Sequence, residues 1–512
     1  MARNGNIILA RGIGMDKEHK NIINYTSTSM LQLLRSQNHF VGEKSDYSFI
    51  SENGKGGNVI ATNFTYQECK NANYIAFQNP TYYNKWIFAF IDEVTYENNG
   101  CTKITFTVDN WATWFDNLTF KSCFVVREHV NSDNVGEHTV SEGLETGDYV
   151  INNYDKDYSL NDLCIVTCTS VYSGMSGDNV IGQLVNGIFT GLSYTAYNTS
   201  VDGINNLNSF IHSLDSKPDA IVGIFMYPTA LLPIEWNPST TIAHLITGTR
   251  STGVNSYNKS ITPPTTINGF SPKNNKLFTY PYRYLILGNN NGVSNILQYE
   301  YFTSGYNFKI EGVVCPGGSI RCIPQNYKGM QDNQNEAISC GKFPTCAWTS
   351  DAFTNWMTSN AVNLGMGIVG DVANIVTGNY TGATVGIANQ VSQIYQHSLV
   401  PPTVKGNTNT GDVVTSSGDN TFYFYNMSIK EEFARIIDDY FTRFGYKVNS
   451  LKVPNITGRT YWNYVEIGAG EDIAFGTLPV DAMEDINNIF RRGTTIWHNH
   501  DNIGNFNLDN TL

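Results

Sequence analysis

A few side chains of this sequence could perform chemistry, and the first group lies near residue 500. The run His498-Asn-His500-Asp501 combines two imidazoles with a carboxylate, the groups that bind a divalent metal or serve a nuclease. No cysteine and no further histidine stands at metal-ligand spacing around it. We therefore expect no metal site, and we interpret the two histidines as exposed side chains beside a terminal turn.

Other catalytic motifs are incomplete. Gly174-Met-Ser176-Gly177 lacks the full G-x-S-x-G pattern that places a serine nucleophile in a strained turn, so we interpret it as a loop. The glycine-rich motifs of nucleotide sites are missing. A glycosidase needs only two carboxylates at the right separation, so a cell-wall hydrolase stays open as an alternative. We predict no enzyme activity, no cofactor and no catalytic residue.

The composition indicates a large, β-rich protein of several domains. The 512 residues include only 15% charged residues, against about a quarter in ordinary soluble domains, but 30 Tyr and 27 Phe. The net charge of −13 argues against gripping nucleic acid, because phosphate binding requires clustered Lys and Arg. A net negative charge suits a channel through which DNA slides. The nine cysteines are odd in number and show no C-x-x-C spacing, so we expect reduced, half-buried thiols.

Short strands separated by Gly and Asn turns dominate the first 130 residues. Residues 74–77, 86–91 and 103–108 are β-branched and aromatic, and Asn98-Asn-Gly100 predicts a hairpin turn. We expect a twisted antiparallel sheet or barrel, closed by a strand within 120–130.

The next part of the chain is predicted to be α+β. Residues 163–170 and 220–227 are typical of buried strands, and 202–214 has apolar residues at helical spacing. Strands are then predicted over three ranges, 276–287, 296–301 and 307–314.

Two amphipathic helices are predicted after residue 420. Ser428 and Glu431 predict a capping box, and Gly445 ends the first helix. Its expected apolar face consists of Phe433, Ile436, Ile437, Tyr440, Phe441 and Phe444. The second helix is predicted to begin at Asp481, with Glu484 three residues on, and to stop before Gly493; its expected buried residues are Met483, Ile486 and Ile489.

The stretch 351–404 differs from the rest of the chain. The 53 residues between Asp351 and Lys405 carry one formal charge, Asp371. Apolar residues at helical spacing predict two helical arms around a turn at 377–382, each long enough to cross about 30 Å of hydrocarbon. Each glycine in a helix interior lowers helix stability by about 1 kcal/mol. The glycines of this stretch therefore favour a segment that packs with copies of itself or rearranges over a fixed core element. A glycine-rich helical pair buried in a core is the alternative.

Several motifs resemble one known family. They occur in order at both ends of the chain: Tyr74-Ile-Ala-Phe-Gln-Asn79, Asn84-Lys-Trp-Ile-Phe-Ala-Phe90, Phe124-Val-Val-Arg-Glu-His-Val130, Glu142-Gly-Leu144, Arg443-Phe-Gly-Tyr-Lys-Val-Asn449 with Pro454-Asn455, and Ile496-Trp-His498 with Asp501-Asn-Ile-Gly-Asn505. The chain resembles the distal tail-knob (tail tube) proteins of small short-tailed, protein-primed phages of Gram-positive bacteria, the Picovirinae type.

The resemblance implies a hexameric, mostly β tube at the tail tip that continues the channel of the phage collar or nozzle protein. Genome DNA passes through it without specific binding. An apolar loop plugs the lumen and is released to penetrate the host cytoplasmic membrane. The positions predicted to be membrane-active here are Phe353, Trp356, Met357, Leu364, Gly365, Gly367, Ile368, Gly370, Asp371, Val372, Ile375, Gly378, Gly382, Gly386, Ile387, Val391 and Ile394.

Two features depart from the family pattern. The stretch is less alanine-rich than expected, and it holds Asp371, whose burial in lipid is costly unless it faces a pore or is protonated. The middle part, about 150–275, shows little resemblance.

The predicted fold class is mainly β with some α: an antiparallel β-barrel or sandwich tube domain with an inserted α+β domain and a helical hydrophobic loop. The predicted domain limits are 1–148 for the first part of the tube, 149–275 for the inserted domain, 276–350 for the continued tube, 351–404 for the loop and 405–512 for the last part of the tube, with helices over 428–444 and 481–492.

The resemblance implies that the protein lies in the distal tail of the virion. No secretory signal is visible after Met1, so we expect the protein to be made and assembled in the host cytoplasm. Its alternative function is that of a tail adhesin that binds a receptor or cell-wall polysaccharide, with sugar rings stacked on Tyr and Trp.

Overall fold

The fold comes from a computed structural model. It describes residues 3–52, 55–79, 84–169, 184–185, 188–189, 193–213, 221–233, 236, 239–244, 255–289, 292–312, 314, 320–340, 345–347 and 421–512.

The described strands are numbered in chain order: β1 Arg3–Ala10, β2 Asn21–Ile23, β3 Phe40–Glu52, β4 Lys55–Thr62, β5 Tyr74–Asn79, β6 Lys85–Asn98, β7 Cys101–Val108, β8 Leu118–Phe120, β9 Cys123–Glu128, β10 Tyr149–Lys156, β11 Leu163–Thr169, β12 Leu184–Val185, β13 Ile188–Phe189, β14 Ser193–Tyr197, β15 Ile221–Pro228, β16 Ile242–His244, β17 Asn255–Ser260, β18 Arg283–Gly288, β19 Ser294–Leu297, β20 Asn307–Gly312, β21 Ile320–Tyr327, β22 Met330–Asp332, β23 Ile338–Cys340, β24 Thr345–Ala347, β25 Tyr423–Ile429, β26 Tyr446–Lys452, β27 Trp462–Ile467, β28 Ala474–Gly476 and β29 Thr494–Trp497. The described α-helices are α1 Ser27–Leu34, α2 Tyr66–Lys70, α3 Asn110–Trp114, α4 Val201–Ser213, α5 Glu431–Phe444 and α6 Val480–Arg492.

The chain divides into two compact units, and each is built from separate stretches of sequence. Unit 1 comprises Met1–Gly147, Gly269–Thr279 and Lys430–Leu512, and unit 2 comprises Asp148–Asn268 and Tyr280–Ile429. The domain limits predicted from the sequence remain predictions.

Six strands of unit 1 form a closed barrel in the order β1, β3, β4, β7, β6, β5. Alternate residues of a strand point to opposite faces. One alternating set, drawn from all six strands, forms a single buried cluster and therefore fills the inside of the barrel: Ile7, Leu9, Tyr47, Ile60, Ile75, Phe77, Ala89, Ile104 and Phe106. The predicted β-rich class and antiparallel barrel are confirmed.

The outer faces of β1, β5 and β6 are buried too. Ile8, Tyr74 and Phe88 share a second cluster with Met30 and Leu34 of α1. Burial on both faces explains why the sequence over 74–77 is apolar without alternation. The hairpin between β6 and β7 is also as predicted: Asn98 pairs with Cys101, and the Asn98 side chain accepts a hydrogen bond from the Gly100 amide at 2.9 Å.

A second sheet of unit 1 joins parts of the chain that are remote in sequence. Its order is β2, β29, β27, β9, β26, and only β2 and β29 run parallel to each other. Helix α6 covers it, with Ile486, Ile489 and Phe490 in one buried cluster with Val465 and Trp111. The indole N–H of Trp111 donates to the carbonyl of Ile23 at 2.7 Å, so β2 is held to this core as well.

A buried carboxylate ties three further segments of unit 1 together. Glu142 is 1% exposed and accepts hydrogen bonds from the Arg127 guanidinium and the Lys276 ammonium. It also accepts from the backbone N–H of Lys447 at 2.9 Å. Burial lowers the pKa of Lys276, and the charge of Glu142 opposes that effect. Because a buried charge without a partner is very costly, these groups must be placed together.

The described residues of unit 2 form three larger sheets and a two-stranded sheet of β12 and β13. Their orders are β10, β25, β18, β19; then β16, β14, β11, β15, β24; then β17, β20, β21, β22, with β23 also paired to β21. The strands predicted over 163–170, 220–227 and 307–314 are β11, β15 and β20, and the helix predicted over 202–214 is α4. The three larger sheets share one buried core, in which the rings of Phe308 and Phe424 are 4.8 Å apart.

Helix α5 corrects two predictions. Its N-cap is Lys430, and no side chain caps it. The predicted cap residue Ser428 lies in β25, where its backbone pairs with both neighbouring strands. Ile436, predicted to be apolar face, is 67% exposed, whereas Asp438 is buried. The Asp438 carboxylate accepts from the backbone N–H of Lys273 and Asn274 at 3.0 to 3.1 Å, which no local pattern reveals.

The strand predictions over 276–287 and 296–301 were too long, and the second helix also differs slightly. The 3-10 helices Asn275–Phe278 and Tyr299–Tyr301 replace parts of the predicted strands, which shrink to β18 and β19. Helix α6 begins at Val480 after the N-cap Pro479, and Met483 is only partly buried.

The C-terminal glycine of α5 offers a test of this packing. Gly445 has φ 66° and ψ −156°, a region nearly restricted to glycine, and a Cβ there would lie 2.1 Å from the Glu128 carbonyl oxygen. We expect Gly445→Ala to lower the free energy of unfolding by more than about 3 kcal/mol. Gly470→Ala, at φ 84° in open space, is the matched control and should cost about 1 kcal/mol. Equal unfolding free energies of the two variants in denaturant titrations would contradict the packing.

Candidate functional site at the ends of the apolar segment

The candidate site is the pair of strands between which the apolar stretch 351–404 is inserted. Every predicted membrane-active residue, from Phe353 to Ile394, lies outside the described residues, as does the loop at Gly174 to Gly177. Strand β24 precedes the stretch and β25 follows it, and both belong to unit 2. The geometry of these two strands determines how the segment is attached.

On the N-terminal side, the chain passes through two short strands. β23 pairs with β21, with Ile320 opposite Cys340 and Cys322 opposite Ile338. The side-chain amide of Asn289 donates to the Ser339 carbonyl at 2.8 Å. β24 then pairs with β15 at the edge of its sheet. The segment is therefore preceded by backbone that is hydrogen-bonded to two sheets of unit 2.

On the C-terminal side, the first described residues after the segment are buried in a core. Thr421 and Phe422 are 0% exposed, and β25 runs between β10 and β18 in the middle of its sheet. The hydroxyl of Thr421 donates to the Asp157 carbonyl, and the Asp157 N–H donates to the Phe422 carbonyl at 3.0 Å. These hydrogen bonds fix the first described residues after the segment to the end of β10.

The side chain of Asp157 holds in place the backbone that makes these two hydrogen bonds. It is 1% exposed, caps the 3-10 helix Tyr158–Leu160 by accepting from the Ser159 N–H at 3.2 Å, and accepts from the Tyr257 hydroxyl. Burial raises the pKa of Tyr257, and the hydrogen bond to Asp157 and its negative charge raise it further. Tyr257 therefore stays protonated and keeps donating at any physiological pH. We call Asp157, Tyr257, Thr421 and Phe422 the segment anchor.

The chemistry of the segment anchor is structural. The nearby thiols of Cys164 and Cys322 are fully buried, and burial raises the pKa of both. A thiol held in its protonated form is a poor nucleophile and a poor metal ligand. The segment anchor therefore serves to hold the chain in place where the described residues resume after the apolar stretch.

The histidines near residue 500 are not exposed, which corrects the sequence interpretation. His498 is half-buried between the side chains of Asn24 and Asn463, each 2.9 Å from one ring nitrogen. His500 is only 8% exposed. Cys69, Cys123, Cys164, Cys168 and Cys322 are buried and Cys101 is partly buried, and these six are free thiols. Most are thus more deeply buried than predicted.

Among the described residues, no helix combines the length and apolar character that a membrane crossing requires. The segment anchor itself escaped prediction, because Thr421 lies 264 positions from Asp157. The only local signal was the run Asp157-Tyr-Ser159, which is typical of an Asx turn.

Two family models match the sequence. Residues 249–511 match that of the C-terminal domain of tail knob protein gp9 of Bacillus phage phi29, and residues 3–119 match that of the caudoviral major tail protein N-terminus. The tail knob protein gp9 of Bacillus phage phi29 is 23% identical over 99% of this chain and 98% of its own length. The same protein of Bacillus phage B103 is 25% identical over 88% of this chain and 90% of its own length.

A solved structure shows a similar fold. The tail knob protein gp12 of bacteriophage C1 superposes with a TM-score of 0.63 and covers 98% of both chains, at 12% sequence identity. The similarity in fold extends over both units, including the middle region in which the sequence showed little resemblance.

The segment anchor can be tested by substitution. Asp157→Ala leaves the partly buried Tyr257 hydroxyl and the Ser159 amide without the Asp157 acceptor, so we expect a loss of about 1 to 3 kcal/mol in the stability of unit 2. Asp157→Asn keeps an acceptor oxygen and should lose less. Asp155→Ala is the control, since its ion pair with Lys259 is partly exposed and contributes below about 1 kcal/mol. If Asp155→Ala and Asp157→Ala lower the thermal unfolding temperature equally, the Asp157 side chain does not stabilise the segment anchor.

Proposed function

This chain belongs to the family of tail knob proteins of Bacillus phage phi29 and its relatives, and from that premise we propose that several copies of it form the tube at the distal end of a short phage tail. It is a structural component of the virion tail and assembles there with other phage proteins. We further propose that the stretch 351–404 closes the tube and is released into the host membrane. The observation that carries this proposal is that the strands flanking the apolar stretch on both sides, β24 and β25, are paired within sheets of unit 2.

The proposed tube is a ring of identical copies, with six as the expected number. It would carry genome DNA from the collar or nozzle protein toward the host cytoplasmic membrane. The net charge of −13 supports this role, because DNA slides along a wall that repels phosphate and sticks to one rich in Lys and Arg. No step of this function requires catalysis, so we propose a non-enzymatic protein.

One sheet face of unit 2 supports self-association. In the sheet β10, β25, β18, β19, a row of paired residues crosses all four strands: Tyr154, Tyr425, Ile286 and Ile296. Directly paired residues lie on the same face of an antiparallel sheet. The end members Tyr154 and Ile296 are 60% and 57% exposed, whereas Phe424 and Leu285, whose side chains point to the opposite face, are fully buried. Large apolar side chains exposed on one face are typical of an interface.

The apolar stretch has the composition of a membrane-active element. One formal charge among 53 residues is unusual in a protein with a polar surface, and the glycines between Leu364 and Val391 weaken a fixed helical core element. Attachment through the segment anchor allows the stretch to change its position while β24 and β25 keep their pairing. In a ring of copies, Asp371 would contribute a ring of carboxylates that faces a lumen at lower cost than it faces lipid.

Ring assembly is tested on the exposed sheet face. Ile296→Glu places a charge on this face, so we expect the purified protein to shift from a ring to a single chain in native mass measurement and electron microscopy. Its thermal unfolding temperature should stay within a few degrees of wild type, because Ile296 is exposed. Val293→Glu is the control, a comparably exposed residue outside the paired row, and should leave the assembly unchanged. A wild-type protein that is a single chain at all concentrations would refute the tube.

Membrane activity is tested by removing the stretch. Deletion of residues 351–404, with a short Gly-Ser linker between β24 and β25, should reduce liposome leakage at least tenfold while the ring mass is unchanged. If leakage and infection both persist, the stretch has no role in penetration. Binding of the deleted protein to host cell walls would instead favour the adhesin function.

The pH dependence of leakage isolates Asp371. A carboxylate enters lipid more easily when it is protonated, so wild-type leakage should rise as the pH is lowered from 7 to 5. Asp371→Asn is neutral at both pH values and should leak equally at both. A variant that keeps the wild-type pH profile shows that another group controls release.

A further inference from the structure

Three side chains that could bind a metal meet at the C-terminal end of unit 1. His500 and Asp501 begin the 3-10 helix His500–Asn502, and His39 precedes β3. One ligand atom from each of the three lies within 4.8 Å of the other two. The two imidazole rings are 4.6 Å apart between centroids and stand at 80° to each other.

The His39 ring has the tautomer that a metal ligand needs. Its Nδ1 lies 2.9 Å from the carbonyl oxygen of Arg11, which can only accept, so Nδ1 carries the proton. The lone pair is therefore on Nε2. A hydrogen bond from the second ring nitrogen to a backbone carbonyl is the usual support of a metal-binding histidine.

The His500 ring has a buried nitrogen without a hydrogen bond. His500 is 8% exposed, and its Nδ1 has no hydrogen-bond partner. The nearest carboxylate oxygen, Oδ1 of Asp501, is 3.7 Å away, which exceeds hydrogen-bond distance. Nε2 receives only a long hydrogen bond from the Gly14 amide, at 3.4 Å. A buried polar atom that lacks a partner costs about 1 to 3 kcal/mol, so a native protein rarely keeps one without a reason.

We propose that His39, His500 and Asp501 bind one Zn²⁺ ion, through Nε2 of His39, Nδ1 of His500 and the exposed carboxylate of Asp501. Zn²⁺ takes imidazole nitrogens at about 2.0 to 2.1 Å and carboxylate oxygens at similar distances, and it accepts water as the fourth ligand. Ca²⁺ and Mg²⁺ fit less well because they prefer oxygen ligands. On binding, the His500 proton moves to Nε2 and the long bond from Gly14 is lost.

The consequence for the fold is a cross-link between segments remote in sequence. The ion would join the turn before β3, which belongs to the barrel, to the 3-10 helix that follows β29. Both lie in unit 1. An ion that binds only the folded chain stabilises it in proportion to the logarithm of its concentration above Kd.

The experiment uses the full-length protein after dialysis against a chelator. Calorimetric titration with ZnCl₂ should show one equivalent per chain, and Zn²⁺ should raise the thermal unfolding temperature. His39→Gln and Asp501→Asn, which change a partly buried and an exposed side chain, should each weaken binding by roughly tenfold to a hundredfold. Replacing Zn²⁺ by Co²⁺ should give the visible absorption of a tetrahedral site in wild type, and a weaker one at the same Co²⁺ concentration in His39→Gln and Asp501→Asn.

His498→Gln is the matched control, because its ring nitrogens are bonded to Asn24 and Asn463. It should keep wild-type affinity. Absence of Zn²⁺ binding to the wild-type chain, or equal binding by wild type, His39→Gln and Asp501→Asn, overturns the site.

Discussion

The carboxylate of Glu142 is the interaction on which unit 1 most depends. It is almost fully buried, and it is bonded to Arg127, Lys276 and the backbone of Lys447. These partners come from β9, from the short stretch Gly269–Thr279 and from β26, so one charge fixes three segments that the chain delivers separately. Apolar contacts tolerate small displacements. Removal of one partner of a buried ion pair, in contrast, lowers the stability of the fold by several kcal/mol. The segments are therefore fixed in a single arrangement.

Local patterns predicted those parts of the fold whose partners are close in sequence. Strands β5, β6 and β7 of the barrel and the turn at Asn98-Asn-Gly100 were predicted because runs of β-branched and aromatic residues and turn residues are local properties. The start of α5 was not. Ser428 has the residue type of a cap, yet its backbone is already paired with two strands, one of them more than 250 positions away in sequence. Asp438 is likewise buried in place of Ile436 because its carboxylate accepts hydrogen bonds from the backbone of Lys273 and Asn274, which are remote in sequence.

The candidate site was predictable in the same uneven way. Composition alone marks 351–404 as unlike the rest of the chain, and the flanking motifs indicated the family. The anchor of the segment consists of polar groups separated by 100 or more positions, such as Tyr257 and Asp157, and no periodicity links them. The histidines near residue 500 were misjudged as exposed because a terminal sequence rich in Asn and Asp suggested a loose tail, whereas Trp497 and His498 pack against residues 21 to 24.

The pairing of β29 between β2 and β27 has a consequence for biosynthesis. Trp497 and Asn21 are bonded across 476 positions, and a bacterial ribosome needs roughly 20 to 100 s to synthesise that length. The barrel can close during this time, but the second sheet of unit 1 lacks a strand until residue 497 has been added. A prematurely terminated chain thus carries an incomplete sheet. A subunit that lacks β29 would therefore bring an incomplete sheet of unit 1 to the growing virion.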